Sequence, residues 1–319
     1  MKLKWEHQIS GNDTDFNIFG GSSFYPQFLR RGDNIYILHN AADTFRPEFR
    51  EKGIKPNSYV MCNEFNPANG FANHYLFTIP KEKMYTTAAQ WNCHFSDDCI
   101  IINTKPIEPV NSNGERLAAG SYYRKVLCLN LTNGDFYEYS ECNPTEILYN
   151  HNRSDFPRKL YSNEKYHVFM KSAQSMICED VATGDVLWQQ KTKLFETGTR
   201  AQEVNGKLLF TTTKTNGLMY CINLADGEIL LMHDMHLNGG HYTYHNGIIY
   251  FGDGKGQITA VSDKTFTVTD TIKTTYLTTG LPINVIDNHL YTITVNPKGG
   301  AMAVVCCELS SQSKNPSVF

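Results

Sequence analysis

Nowhere in these 319 residues does an apolar run approach the roughly 20 residues that a bilayer-spanning helix needs. The start, Met1-Lys2-Leu3-Lys4-Trp5-Glu6-His7, turns polar where a signal peptide would become hydrophobic. With Met1 as the native start, these features predict a cytoplasmic protein with no membrane partner. Nor does either charge dominate: 29 Lys and Arg stand against 32 Asp and Glu, a formal charge of −3. No net field draws the chain to phosphate backbones, so nucleic acid is not an expected partner. The cysteines, at 62, 93, 99, 128, 142, 178, 221, 306 and 307, contain no CxxC pair and no Cys/His ladder at zinc spacing. They read as reduced thiols, and no metal site is expected from them. Disordered and collagen-like compositions are missing too. With 41% hydrophobic residues, the chain can bury roughly three quarters of the surface it exposes when unfolded.

What is present is repetition. Around residues 159–193, short runs rich in β-branched and aromatic residues (RKLYS, YHVFMK, SMICEDVA, TGDVLWQQKT) alternate with polar turn residues. The pattern predicts four strands joined by tight turns. It returns as TRAQEV, KLLFTTT, LMYCINL and EILLMHDM, turning at Asn205-Gly206 and Asp226-Gly227. It returns again as HYTYH, IIYFGDG, QITAVSD and FTVTDTI, turning at Asn246-Gly247. Corresponding positions recur about every forty residues, the period of a four-stranded propeller blade. Two further units lie toward the N-terminus: AAQWNCHF, CIIINT, KVLCLNL and DFYEYSE, preceded by YPQFLRR, NIYILHN, SYVMCNEF and ANHYLFTI.

The last unit, LPINVID, HLYTITV and AMAVVCCEL, supplies only three strands before a polar C-terminal tail at 310–319. Residues 2–9 precede the first unit without a blade of their own, and Lys4-Trp5-Glu6 resembles Leu187-Trp188-Gln189 on a fourth strand. The expected fold is therefore all-β: a six-bladed β-propeller with four-stranded blades, a single domain over residues 1–309, its last blade closed by the N-terminal strand. Closure removes two edge strands that would otherwise pair with other chains. One small residue recurs on the third strands: Cys62, Cys128, Cys178, Cys221, Ala260 and Cys306 or Cys307. It reads as a buried small side chain where neighbouring blades press together. Cysteines on different blades cannot converge on one ion.

The stretches MICEDVATGDVLWQQK, NGKLLFTTTKTNGLMYCINLADGEIL and NGIIYFGDGKGQITAVSD resemble the repeats of the quinoprotein-like, or PQQ-repeat, β-propeller superfamily. Its blades carry a strand, a Gly-containing turn, an Ala-Leu-Asp-like strand, Thr-Gly and a Trp-bearing strand. Residues 159–265 carry the likeness, and what it implies is the fold. Quinoprotein dehydrogenases of that superfamily generally have eight blades, a Trp in most of them, and calcium and quinone ligands. Here 3 tryptophans serve six expected blades. The chain looks more like the superfamily's non-enzymatic, protein-binding scaffolds, and no cofactor is expected.

In a blade whose strands run from axis to rim, the first-to-second and third-to-fourth turns share one face, and the other connections share the opposite face. The first face has only short turns. On the other, long connections at 11–22, 41–57 (AADTFRPEFREKGIKPN), 106–122 (PIEPVNSNGERLAAGSY) and 142–157 gather over blades one to three. Segments of this length are uncommon in compact domains unless they carry function. Phe45, Arg46, Glu48, Phe49 and Arg50 lie on one, Glu115 and Arg116 on the next, and Tyr149, His151 and Arg153 on the last. Their aromatic and guanidinium groups are types enriched at interface centres, which makes these the expected partner-binding residues. The bland alternative is that the loops cap the ring, with Arg46, Glu48, Arg50 and Glu51 a solvated strip of alternating charge. A second candidate is the channel mouth, where Tyr25, Gln27, Gln90 and Asn92 face Arg158, Arg200, His241, Tyr242 and Asn284 as a ring of polar groups.

Catalytic motifs are sparse. The chain has no GxSxG elbow, no repeated Ser-x-Asp-x-Gly box, and no carboxylate beside Asn92 and Asn284 with which to bind calcium on the axis. His241 and His245 bracket one strand about 13 Å apart, too far to share an ion. Gly252-Asp253-Gly254-Lys255-Gly256 reads as a hairpin turn rather than a phosphate loop. The expected protein is a monomeric, non-catalytic protein-binding module, one form of which is a bacterial immunity or inhibitor protein. The alternatives are a metal-assisted lactonase or sugar hydrolase at the channel mouth, or a sugar-binding propeller.

Overall fold

The structure is a computed structural model that describes residues 1–9, 27–39, 59–78, 92–103, 123–142, 158–172, 174–191, 201–212, 217–235, 241–296 and 302–310. Every described element is a strand, and the strands form six four-stranded sheets. The first sheet holds β2 (Gln27–Arg31), β3 (Asn34–His39), β4 (Tyr59–Asn66) and β5 (Gly70–Thr78); the second holds β6 (Asn92–Ser96), β7 (Cys99–Asn103), β8 (Tyr123–Asn130) and β9 (Phe136–Cys142). The third runs β10 (Arg158–Ser162), β11 (Tyr166–Ser172), β12 (Ser175–Asp180) and β13 (Val186–Lys191), and the fourth β14 (Gln202–Val204), β15 (Lys207–Thr211), β16 (Leu218–Asn223) and β17 (Ile229–Asp234). The fifth is β18 (Tyr242–His245), β19 (Ile248–Gly252), β20 (Gln257–Ser262) and β21 (Val268–Lys273). Each of these five is an antiparallel meander. The sixth contains β22 (Leu277–Ile286), β23 (His289–Val295) and β24 (Met302–Glu308), with β1 (Lys2–Gln8) as its outer strand beside β24. The N-terminal strand thus completes the last sheet, as its Trp-bearing sequence implied.

Turn chemistry fixes the meanders. Asn205-Gly206 and Asn246-Gly247 have positive φ at both residues (52° and 75°, 49° and 82°), the twist-matched hairpin turn that Asn-Gly favours. The third-to-fourth turns follow one recipe. Asn130, Asp180 and Asn223 each accept, on side-chain Oδ1, the N–H two residues on, and their backbone carbonyls accept from Gly134, Gly184 and Gly227. Those glycines have φ of 74°, 75° and 77°, which suits a residue without Cβ. In the fifth sheet Phe266 holds the equivalent place at φ 54°, with its carbonyl partner Ser262 opening the turn. Lys207 Nζ lies 5.3 Å from the Phe266 ring centroid and donates to the Asp263 carbonyl at 2.8 Å.

The chain divides into two compact units: Met1–Glu6, His151–Val295 and Val305–Phe319 form one, and His7–Asn150 with Asn296–Val304 the other. Within the first unit, successive sheets pack face to face. Leu208, Phe210, Tyr220 and Ile222 meet Val168, Met170, Met176, Cys178 and Trp188 of the third sheet. The alternate residues Leu209, Met219 and Cys221 meet Ile249, Phe251 and Val261 of the fifth. Period-two alternation therefore makes both faces of the fourth sheet apolar. Ala260 and Tyr250 of the fifth sheet in turn pack with Leu290, Val305 and Cys307. Trp188 locks one junction: its Nε1 donates to the Leu224 carbonyl at 2.8 Å, and its ring lies where a Cβ on Gly227 would sit 2.6 Å away. In the second unit, Tyr36 meets Phe95 edge-on at 5.0 Å, and Arg31 pairs with Asp98 at 2.5 Å.

The recurring small residue is real but one member is misplaced. Cys128, Cys178, Cys221 and Ala260 each stand two residues before the turn-opening residue, opposite Ile101, Val168, Leu209 and Tyr250 of the second strand. In the first sheet the turn opens at Asn66, so this place belongs to Glu64, opposite Tyr36; Cys62 lies two residues earlier, opposite Leu38. In the sixth sheet Cys307 faces the fifth sheet, which leaves Cys306 for the recurring place. Burial pushes the thiols of Cys178 and Cys306 up to about 11 and those of Cys221 and Cys307 up to about 12. They are neutral, unreactive fillers at neutral pH.

Candidate functional site

The first strands of the third, fourth and fifth sheets are short, and each carries polar residues at its ends. Within one unit, residues on and beside β10, β14 and β18 line a cleft of about 670 Å³: Tyr161, Ala201, Gln202, Glu203, Asn205, His241 and Tyr242. That volume is in the range of small-ligand sites, roughly 300–1,000 Å³.

Its polar groups are held from within the protein. The Tyr161 hydroxyl and Asn163 Nδ2 both donate to Glu203 Oε2, so two elements of the third sheet orient a carboxylate of the fourth. Burial and the adjacent carboxylate raise the Tyr161 pKa, which keeps the phenol protonated as a donor. Tyr242 donates to the Leu209 carbonyl at 2.7 Å, and burial raises its pKa as well. Burial pushes His241 down to about 4, so its imidazole is neutral at pH 7. Beyond the cleft, Tyr244 donates to Asp263 Oδ2 at 3.0 Å. Asp263 Oδ1 is buried without a hydrogen-bond partner among the described residues.

Of the residues expected at a channel mouth, His241 and Tyr242 line this cleft. Asn284 lies on β22 opposite Tyr291, outside the lining. Gln27, Asn92 and Arg158 lie on β2, β6 and β10, each the first strand of its sheet. Tyr25, Gln90 and Arg200 lie outside the described residues, as do Phe45, Arg46, Glu48, Phe49, Arg50, Glu115, Arg116, Tyr149, His151 and Arg153. Tyr161, Gln202, Glu203 and Asn205 were not anticipated. The register of β10 shifts between Lys159 and Tyr161, which breaks the alternation by which strand phase is counted along a sequence. In the sequence Asn205 reads only as a turn residue.

Among the described residues no three of His, Cys, Asp and Glu gather as a metal-binding set. Asp253, in the glycine-rich turn, accepts the N–H groups of Lys255 and Gln257 on Oδ1 and so closes the hairpin between β19 and β20.

No family model matches the chain, and no curated protein matches it. Solved structures similar to it include the computationally designed Ika8 protein, at 10% identity over 93% of this chain and 99% of that one, with a TM-score of 0.44. BamB from Moraxella catarrhalis is similar at 11% identity over 97% of this chain and 98% of that one, with a TM-score of 0.38. The computationally designed Ika4 protein is similar at 15% identity over 51% of this chain and 96% of that one, with a TM-score of 0.36.

Proposed function

We propose that this chain is a six-bladed β-propeller of the quinoprotein-like kind that works as a non-catalytic scaffold for a protein partner, in the manner of an immunity or inhibitor protein. The ring reading draws on the six consecutive sheets, the face-to-face packing of the third to sixth, and β1 as the outer strand of the last. One observation carries the binding reading: chain length is spent unevenly. Second and third strands are separated by residues 40–58 in the first sheet and 104–122 in the second, but by 173–174, 212–217 and 253–256 in the next three. Long connections confined to one part of an otherwise regular repeat are where recognition residues concentrate. Replacing 41–57 and 106–122 with short Asn-Gly turns tests this. The expected result is loss of the partner that co-purifies with the intact chain at an unchanged Tm; retained capture, or a collapse in Tm, overturns it.

The cleft favours a second reading. Its volume, its mixed aromatic and polar lining and its place on three first strands suit a small ligand or a single projecting side chain.

A further inference from the structure

We propose that the first-strand cleft is a cation site, taking an alkylammonium or guanidinium group between the Glu203 carboxylate and the rings of Tyr161 and Tyr242. The inference rests on the second reading above and adds the chemical class of the ligand.

Charge decides first. Glu203 is the single formally charged side chain among the described lining residues. Among the described residues both hydrogen bonds it receives fall on Oε2, from Tyr161 and Asn163, and a carboxylate has about four lone-pair sites, which leaves acceptor capacity for a ligand. His241 adds no competing positive charge at neutral pH, because burial keeps the imidazole neutral. An anionic ligand would meet the carboxylate with nothing among these residues to offset it.

The two tyrosines then favour a cation over a neutral sugar, which would have to draw its hydrogen bonds from Gln202, Asn205 and His241. A polyol needs both donors and acceptors in fixed pairs. Here the hydroxyl of Tyr161 is committed to Glu203, and that of Tyr242 to the Leu209 carbonyl. With those hydroxyls engaged, what the two lining tyrosines add is their aromatic rings, whose electron-rich faces attract a cation. A carboxylate held in place beside two phenol rings and a neutral imidazole matches an ammonium or guanidinium head better than a hydroxylated ring. The cation has two sources: a Lys or Arg side chain presented by a protein partner, or a free polyamine.

The test titrates the full chain with N-acetyl-arginine amide, its neutral isostere N-acetyl-citrulline amide, spermidine and N-acetylglucosamine, by calorimetry and by NMR of the His241 and tyrosine ring signals. The arginine derivative should bind at least about tenfold more tightly than the citrulline one, as expected when a charge-assisted hydrogen bond is lost. Glu203→Gln should remove most of that preference at unchanged Tm. Should that variant unfold, weakening of the arginine derivative by added salt on the intact protein gives the same reading. Tighter binding by spermidine assigns the site to free polyamines; tighter binding by the arginine derivative assigns it to a partner's side chain. Equal binding of the arginine and citrulline derivatives, or preference for the sugar, overturns the cation inference while a small-ligand cleft survives. Failure of every probe overturns both.

Discussion

The first and fourth sheets share one strand scheme and fill the same place in opposite ways. In the fourth, Leu209 on the second strand faces Cys221 on the third, and both are buried. In the first, the matching pair is Tyr36 and Glu64, and it is buried too. Glu64 Oε1 accepts from Asn34 Nδ2 at 2.6 Å and the Tyr36 hydroxyl at 2.8 Å, and Oε2 accepts from the Tyr75 hydroxyl at 2.9 Å. The difference teaches that this place demands a filled volume rather than an apolar one. A carboxylate is tolerated where a thiol sits elsewhere because three donors from two strands, β3 and β5, meet its oxygens, whereas an unsatisfied buried carboxylate would be strongly destabilising.

Removing Glu64 should break that comparison most severely. Glu64→Ala leaves the donors of Asn34, Tyr36 and Tyr75 without their acceptor, and we expect a loss of about 3–5 kcal/mol, read from the urea midpoint. The double variant Tyr36→Leu with Glu64→Cys copies the fourth sheet's pair into the first. It should recover part of that loss, because it removes two of the polar groups together.

Next comes the fourth sheet's own neighbourhood. His241 has a folded pKa near 4 against an ordinary 6.5. Its folded pKa is depressed, so the stability tied to the neutral imidazole is complete above about pH 6.5 and is lost as pH falls toward 4, roughly 3 kcal/mol in all. His241→Phe should flatten the Tm profile over that window.

A smaller effect, about 2 kcal/mol, is expected of Gly227→Ala, which combines φ of 77° with a Cβ placed against the Trp188 ring. Trp188 fluorescence should shift with it. The smallest is Cys221→Ala, at about 1 kcal/mol, because it deletes one sulfur from an apolar contact and orphans no polar group. If Cys221→Ala cost as much as Glu64→Ala, the distinction between a filled volume and a satisfied charge would fail.

The strands and turns were legible in the sequence because period-two patterning and Asn-Gly or Asx-to-Gly turns are local. So was the place of β1, since Trp5 sits in a fourth-strand context. The exchange of Cys62 for Glu64 was not, because the recurring place is counted from the turn-opening Asn66 rather than from the nearest thiol. The cleft was half legible. His241 and Tyr242 stand at the start of a first strand, where polar groups near an axis are expected. Glu203 and Tyr161 acquire meaning only when the phenol of one sheet meets the carboxylate of another.

The proposed ring is tested most directly by a crystal structure of the full chain. The account predicts six radially arranged sheets around one axis, with 11–22, 41–57, 106–122 and 142–157 all on one face. Two separate stacks of sheets, or those segments divided between opposite faces, would contradict it.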